Sequence, residues 1–415
     1  MPRKKNVIYL AVDALRPDYL GCYGNESVLT TEIDRLADNG VVFDDVTSSA
    51  PWTVPSVATH LTGKYAHRMN IFSSEFDLND EPVQTVFEHF SSKGYTTAAF
   101  LDSESLYEQW DKDVDYYAKS LDLTNLLDFI TQQGDEPFFL FNLYRGTHLP
   151  YVLKYSKEAW YRAQEEGLDK LRSNDEDDLR EMKYRYQNAI EHFSEWYLRA
   201  IIDRLKREDL LEDTAIIITA DHGETWGERR EDRSDMDAFD LHGPSLYNEV
   251  LKVPLILYNL GTETGIRITE PVRSIDILPT LYESVGIEKD VNHHLDGISL
   301  SPAIEGDTAA VDYPSIAFSA TTRYENPSER DISAISNFSV IRDTWKLIWD
   351  PENDTEELYN VKSDPDERTD VSEQNTEVVA ELRKILEDEI ENVGVMKDGA
   401  DSDIVQERLE DLGYL

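Results

Sequence analysis

Short apolar runs separated by amphipathic stretches constrain this chain most. Asn6–Val12 (NVIYLAV), Thr96–Leu101, Pro137–Leu143 (PFFLFNL), Ala215–Ala220 (AIIITA) and Val253–Tyr258 (VPLILY) are rich in β-branched and aromatic residues. Runs of this length and composition read as strands buried on both faces. Helical patterns lie between them. Thr31–Asn39 ends at Gly40, with a new strand starting at Val41–Phe43, and Val83–Ser92 stops before Lys93-Gly94. A long amphipathic helix is expected from about Asp175 to Lys206. This alternation predicts an α/β fold, a doubly wound and mostly parallel sheet sandwiched by helices. Ligands in such sheets bind beyond the carboxyl ends of the strands. Polar residues at those ends are therefore the ones to examine.

The pattern changes after about residue 310. Short strands are expected at Ser315–Phe318, Ser339–Arg342 and Trp345–Trp349, then a charged loop over Asp350–Glu357 and a helix near Glu377–Ile390. We therefore expect a catalytic domain over residues 1–310, a small C-terminal α+β subdomain over 311–392 and an acidic tail over 393–415. Asp111, Asp113 and Asp115 have the spacing of a calcium loop but lack its Gly and terminal Glu, so they read as a solvated face.

Composition narrows the function. The chain carries 84 Asp and Glu against 40 Lys and Arg, a formal net charge of −44. Such a surface repels phosphate backbones, so nucleic acid is not an expected partner. The same charge disfavours a basic membrane-surface helix. Yet 40% of residues are hydrophobic, enough for a large core rather than disorder. High charge over a real core is the pattern of a protein kept soluble at high salt, where self-repulsion is screened. The single cysteine, Cys22, excludes internal disulfides and reads as a small packing residue. No apolar run approaches the roughly 18 residues that span a bilayer, and no signal peptide is apparent, so a cytoplasmic location is expected. Nothing in the sequence fixes the oligomeric state.

Three strand-end points carry polar groups. Asp13 follows the first strand, and Asp221-His222-Gly223-Glu224 follows AIIITA. Thr53 stands at the start of an expected helix, in the stretch Pro51 to Ser56. Each has a structural alternative: Asp13 as a turn residue, the Asp-His pair as a strand exit, Thr53 as a helix N-cap. Together they suit convergence on one divalent cation, with Thr53 near free backbone N–H groups that favour an anion.

The chain resembles the sulfatase branch of the alkaline phosphatase superfamily over nearly its whole length. Asn6–Gly24, Thr31–Phe43, Thr53–Gly63 (TVPSVATHLTG), Leu140–Tyr151 (LFNLYRGTHLPY), Thr219–Glu224 (TADHGE) and His242–Pro254 carry the likeness. Val272–Thr280, Leu295–Leu300 and Glu357–Glu367 complete it. The resemblance implies that Asp13, Asp221 and His222 are metal ligands and that Thr53 is the nucleophile, also in contact with the metal. It implies that His148 and His242 contact the transferred anion or the leaving oxygen. A surface or capping role is the alternative for each histidine. Arg145 has no counterpart in the family pattern and is offered as a contact to a phosphate or sulfate oxygen, against the alternative of a surface arginine.

The departures from the pattern are informative. Sulfatases convert a Cys or Ser to formylglycine at the position of Thr53. Threonine cannot be converted in that way, so no formylglycine is expected. The supporting Arg of the family is Val57 here, its second Asp is Ala14, and its Lys-x-His element falls near Leu101–Leu106, which reads LDSESL. A Thr nucleophile is similar to superfamily members that act on phosphorus. The expectation is therefore a metal-dependent hydrolase of phosphate or sulfate esters, acting through a covalent Thr intermediate, with phosphoesters favoured. Alternatives are a true sulfatase, a head-group transferase and a silent binding homologue. No Asp precedes His148 four residues back, so one metal is expected rather than two. Mixed carboxylate and imidazole ligands favour Mn²⁺ or Zn²⁺, with Ca²⁺ or Mg²⁺ as alternatives. A small-molecule or glycan ester is the expected substrate.

Overall fold

The structure is a computed structural model and describes residues 4–69, 71, 83–101, 114–119, 121–151, 157–227, 229, 234, 241–261, 263–287, 294–322, 335–351 and 353–393. Its strands are β1 (Asn6–Val12), β2 (Gly40–Phe43), β3 (Val46–Thr47), β4 (Thr96–Phe100), β5 (Tyr116–Ala118), β6 (Phe138–Tyr144) and β7 (Thr214–Ala220). They continue as β8 (Leu255–Tyr258), β9 (Ile266–Ile268), β10 (Val272–Arg273), β11 (Ile316–Thr322), β12 (Ile335–Arg342), β13 (Trp345–Asp350) and β14 (Thr355–Asn360).

An eight-stranded sheet runs in the order β5-β4-β6-β1-β7-β8-β2-β9. Only β8 is antiparallel to its neighbours. The central strands β1, β6 and β7 are buried at every position, as the apolar runs require. Their register sets up the chemistry. Val12 pairs with Tyr144 on one side and with Ala220 on the other. The next residues of these strands, Asp13, Arg145 and Asp221, therefore leave the sheet in one row.

The expected long helix exists with an interruption. Glu176–His192 passes through a π turn at Phe193–Leu198 into Arg199–Arg207. That turn has a purpose in packing. Glu195 Oε1 accepts from the Thr31 amide at 2.7 Å and Ser194 Oγ from the Glu32 amide at 3.2 Å. These bonds satisfy the free N–H groups of the Thr31–Asp38 helix, whose own N-cap makes none.

The C-terminal part forms a four-stranded antiparallel sheet, β11-β12-β13-β14, covered by the Thr376–Val393 helix. Phe338, Val340, Leu347, Trp349 and Leu358 pack there against Val379, Leu382, Leu386 and Ile390. The expected charged loop over Asp350–Glu357 is corrected at its end, because Thr355 already begins β14. As a charged edge strand it lacks an apolar signature. Cys22 is packed against the main core. Asp111 and Asp113 lie outside the described residues, as does the proposed tail from 394 onward. Asp115 accepts from the amide of Thr97. Among the described residues no helix is long and apolar enough to cross a membrane.

Candidate metal centre and active site

The chain turns sharply after β1. Ala14 takes a left-handed φ of 59°, and its amide donates to Asp221 Oδ1 at 3.1 Å. The same oxygen accepts from the His222 amide at 2.8 Å. The position where the family pattern has a second Asp therefore contributes a backbone donor here. After β7, Gly223 lets two backbones meet: its amide donates to the Val250 carbonyl at 2.6 Å. A Cβ there would lie 2.2 Å from the Glu249 carbonyl oxygen.

Asp13, Asp221 and His222 are fully buried and each places a donor atom within 4.8 Å of the others. Asp13 Oδ1 and Asp221 Oδ2 have no hydrogen-bond partner among the described residues. They lie 3.7 and 3.4 Å from His222 Nε2. His222 Nδ1 bonds the Gly223 carbonyl at 2.7 Å, which assigns its proton to Nδ1 and leaves the Nε2 lone pair facing the two carboxylates. Burial, with the adjacent Asp13 charge, pushes the Asp221 carboxyl up to about 6. Against the pull of burial, the two carboxylates hold His222 above its usual value. Two orphaned buried oxygens and one directed lone pair fit a divalent cation.

Thr53 is the first residue of the Thr53–Thr62 helix, and Trp52 is its N-cap. Its hydroxyl does not cap the helix. It lies 3.3 Å from His222 Nε2. Two buried hydroxyls fix this helix to the β7 end, since Ser48 and Ser56 both donate to the Asp221 carbonyl at 2.6 Å. Deeper in the helix, the Tyr9 hydroxyl and His60 Nδ1 are hydrogen-bonded at 2.6 Å, and burial lowers His60 to about 4. Val57 is fully buried in the core.

The remaining candidates gather on the other side. Arg145 Nε donates to Asp13 Oδ2 at 3.1 Å, and Thr147 holds the Asp13 carbonyl at 2.5 Å. His148 Nδ1 bonds the Leu149 carbonyl at 2.7 Å, and burial beside Arg145 drives its pKa down to about 3. His242 lies with its ring centroid 4.4 Å from that of His222 and 5.8 Å from that of His148. The structure thus brings Asp13, Thr53, Arg145, His148, Asp221, His222 and His242 into one cluster. The Leu101–Leu106 segment lies outside the described residues beyond Leu101.

The sequence reading gave no role to Glu224 or Tyr151. Glu224 Oε1 lies 2.9 Å from His242 Nδ1, and its Oε2 accepts from Tyr151 Oη at 2.9 Å. Burial pushes this carboxyl well above the usual range. Glu224 was visible in TADHGE, but its partners come from distant loops and leave no local signal.

The fold and the cluster define a class: a mostly parallel α/β sheet of the alkaline-phosphatase type, with a set of residues at its strand ends that could hold a cation. The chain belongs to the sulfatase family, an ester-hydrolase family, whose model matches residues 5–287. Residues 239–393 also match the C-terminal model described as N-sulphoglucosamine sulphohydrolase. The chain is similar to a low-salt glycan biosynthesis sulfotransferase of Haloferax volcanii, 26% identical over 71% of this chain. It spans 64% of that protein's length. It is 24% identical to a Δ4,5-hexuronate-2-O-sulfatase of Bacteroides thetaiotaomicron, over 93% of this chain and 89% of the other. Among solved structures, a 2-O GAG sulfatase superposes with a TM-score of 0.75 at 19% identity, covering 94% and 93% of the two chains. The phosphonate monoester hydrolase of Agrobacterium radiobacter superposes with a TM-score of 0.74 at 19% identity, covering 92% and 95%.

Proposed function

We propose that this protein is a single-cation hydrolase of phosphate or sulfate esters that works through Thr53, with phosphoesters preferred. The observation that carries this reading is the Thr53 hydroxyl, freed from capping and set 3.3 Å from His222 Nε2. Asp13, Asp221 and His222 would hold a divalent cation, Mn²⁺ or Zn²⁺ by preference, which would supply Lewis-acid polarisation and lower the pKa of the hydroxyl.

Thr53 Oγ gives its proton to solvent, from which the histidine of the next step is recharged, and attacks the phosphorus or sulfur. A new O–P or O–S bond forms as the bond to the leaving oxygen breaks, and that oxygen takes a proton from a histidine. His242, hydrogen-bonded to Glu224, is better placed to carry that proton than His148, which burial keeps neutral. Water then attacks the Thr53 ester in line, releasing the anion and restoring the hydroxyl. A formylglycine hydrate can expel sulfate by elimination through its second hydroxyl. Threonine has one hydroxyl and needs this second displacement, which favours phosphorus. Relatives named as sulfatases support ester cleavage, and the phosphonate monoester hydrolases supply the phosphorus precedent. The Haloferax relative's name favours a second reading, in which an acceptor hydroxyl replaces water.

The charge of −44 supports a high-salt setting for this chemistry. The acidic surface slows anionic substrates, so screening raises activity along with stability. The test is a paired panel of sulfate and phosphate mono- and diesters at molar salt with Mn²⁺ or Zn²⁺. Thr53→Ala is expected to lose at least about 10³-fold in turnover while keeping its circular dichroism spectrum. Full activity of that variant on every ester sinks the nucleophile assignment.

A further inference from the structure

Four rings lead outward from the cation-binding set. His222 lies against His242 (4.4 Å), His242 meets His148 at 64° (5.8 Å), and His148 lies near-parallel to Trp160 at 27° (6.3 Å). His222 and His242 are buried, whereas His148 and Trp160, the latter on the Lys157–Arg172 helix, are part-buried. Tyr161 packs edge-on against the indole at 5.3 Å. The transferred group belongs beside Thr53 and His222, at the inner end. With His242 as proton donor to the leaving oxygen, whatever that oxygen carries lies on the His242–His148 side of the site.

We propose that Trp160 is a specificity-determining residue that stacks against a ring on the leaving group, and that the ring carries little charge of its own. This rests on the active-site reading above. An indole face offers dispersion and CH–π contact to a flat ring surface, either aryl or pyranose. It offers no charge to a multiply anionic glycan. The nearby Arg145 is already engaged by Asp13, and the net charge of −44 opposes further anions.

The test uses stable phosphonates, which put carbon in place of the scissile oxygen. Benzyl phosphonate, a pyranosylmethyl phosphonate and methyl phosphonate are titrated by calorimetry into the metal-loaded protein and into Trp160→Ala and Trp160→Phe. Trp160→Ala is expected to weaken the ring-bearing probes by roughly three- to tenfold and to leave methyl phosphonate unchanged. Trp160→Phe should recover most of the loss. The benzyl and pyranosylmethyl arms decide which ring the platform takes. Equal weakening of all three probes would show that Trp160 only supports His148, and no weakening would remove it from the site; either overturns the proposal. Binding does not require Thr53 to act, so an active Thr53→Ala enzyme would defeat the catalytic reading without touching this comparison. If none of the probes binds wild type, the leaving-group subsite is wrong as well.

Discussion

The molecule buries charge in two places, and it treats them differently. At the junction with the C-terminal sheet, Lys346 and Glu367 are both fully buried and lie 2.7 Å apart. Lys346 also donates to Asn248 Oδ1 at 3.1 Å, and Glu367 Oε2 accepts from the Asn248 amide at 2.7 Å. Nearby, Glu389 of the covering helix takes His67 at 2.9 Å and Arg68 at 2.7 and 2.8 Å. At the strand ends, Asp13 and Asp221 are equally buried, but each leaves an oxygen without a hydrogen-bond partner among the described residues. Paired charge reads as structure, since breaking it leaves an uncompensated ion. Unpaired carboxylate oxygens beside a directed imidazole read as a place for something absent from the chain itself.

The largest expected effect is on activity at the strand ends. Asp221→Asn should lose cation binding and at least about 10³-fold of turnover. In metal-free protein it should be neutral or stabilising by about 1 kcal/mol, because it removes a carboxylate crowded against Asp13. Denaturant melts with and without metal check both parts. A large loss of stability in the metal-free variant would make Asp221 a structural residue.

At the junction the order should reverse. Lys346→Met should destabilise by about 3–5 kcal/mol, read as a shift in denaturation midpoint. Replacing Glu367 as well, by Leu, should recover much of that loss. An unaffected midpoint would mean that the pair is not the anchor described here.

The smallest effect concerns pH. Burial works to raise the Glu389 carboxyl, but hydrogen bonds from His67 and Arg68 overcome it and hold the pKa at about 2, below the usual 4.5. A depressed carboxylate contributes stability that is fully present above pH 4.5 and is lost as pH falls towards 2. After allowance for solvent screening, Glu389→Gln should cost about 1–2 kcal/mol at neutral pH. The difference from wild type should shrink through that window in melts taken across pH. A difference that does not vary with pH would assign the effect to packing alone.

Legibility in the sequence followed the same division. The strand ends were readable because β1, β6 and β7 are continuous apolar runs, so Asp13, Arg145 and Asp221 stand out where each run stops. Parallel register then makes convergence a matter of counting. Thr53 was readable as a helix start, though its hydroxyl turned from the capping role to His222. Glu224 with Tyr151 was not readable, because their meeting depends on how two loops fold over the sheet. The junction was equally hidden: Lys346 sits in a strand and Glu367 in a turn with a left-handed φ of 52°. No local pattern announces that these two are buried together. The π turn at Phe193–Leu198 escaped for a related reason, since its demand comes from the amides of a distant helix.

On this mechanism Thr53 becomes covalently esterified during turnover. Acid-quenching the metal-loaded enzyme a few milliseconds after mixing with a good phosphate or sulfate ester, followed by peptide mass analysis, tests it directly. One phospho or sulfo group is expected on the peptide that contains Thr53. Steady turnover with no modified Thr53, or with the group on another residue, would contradict it.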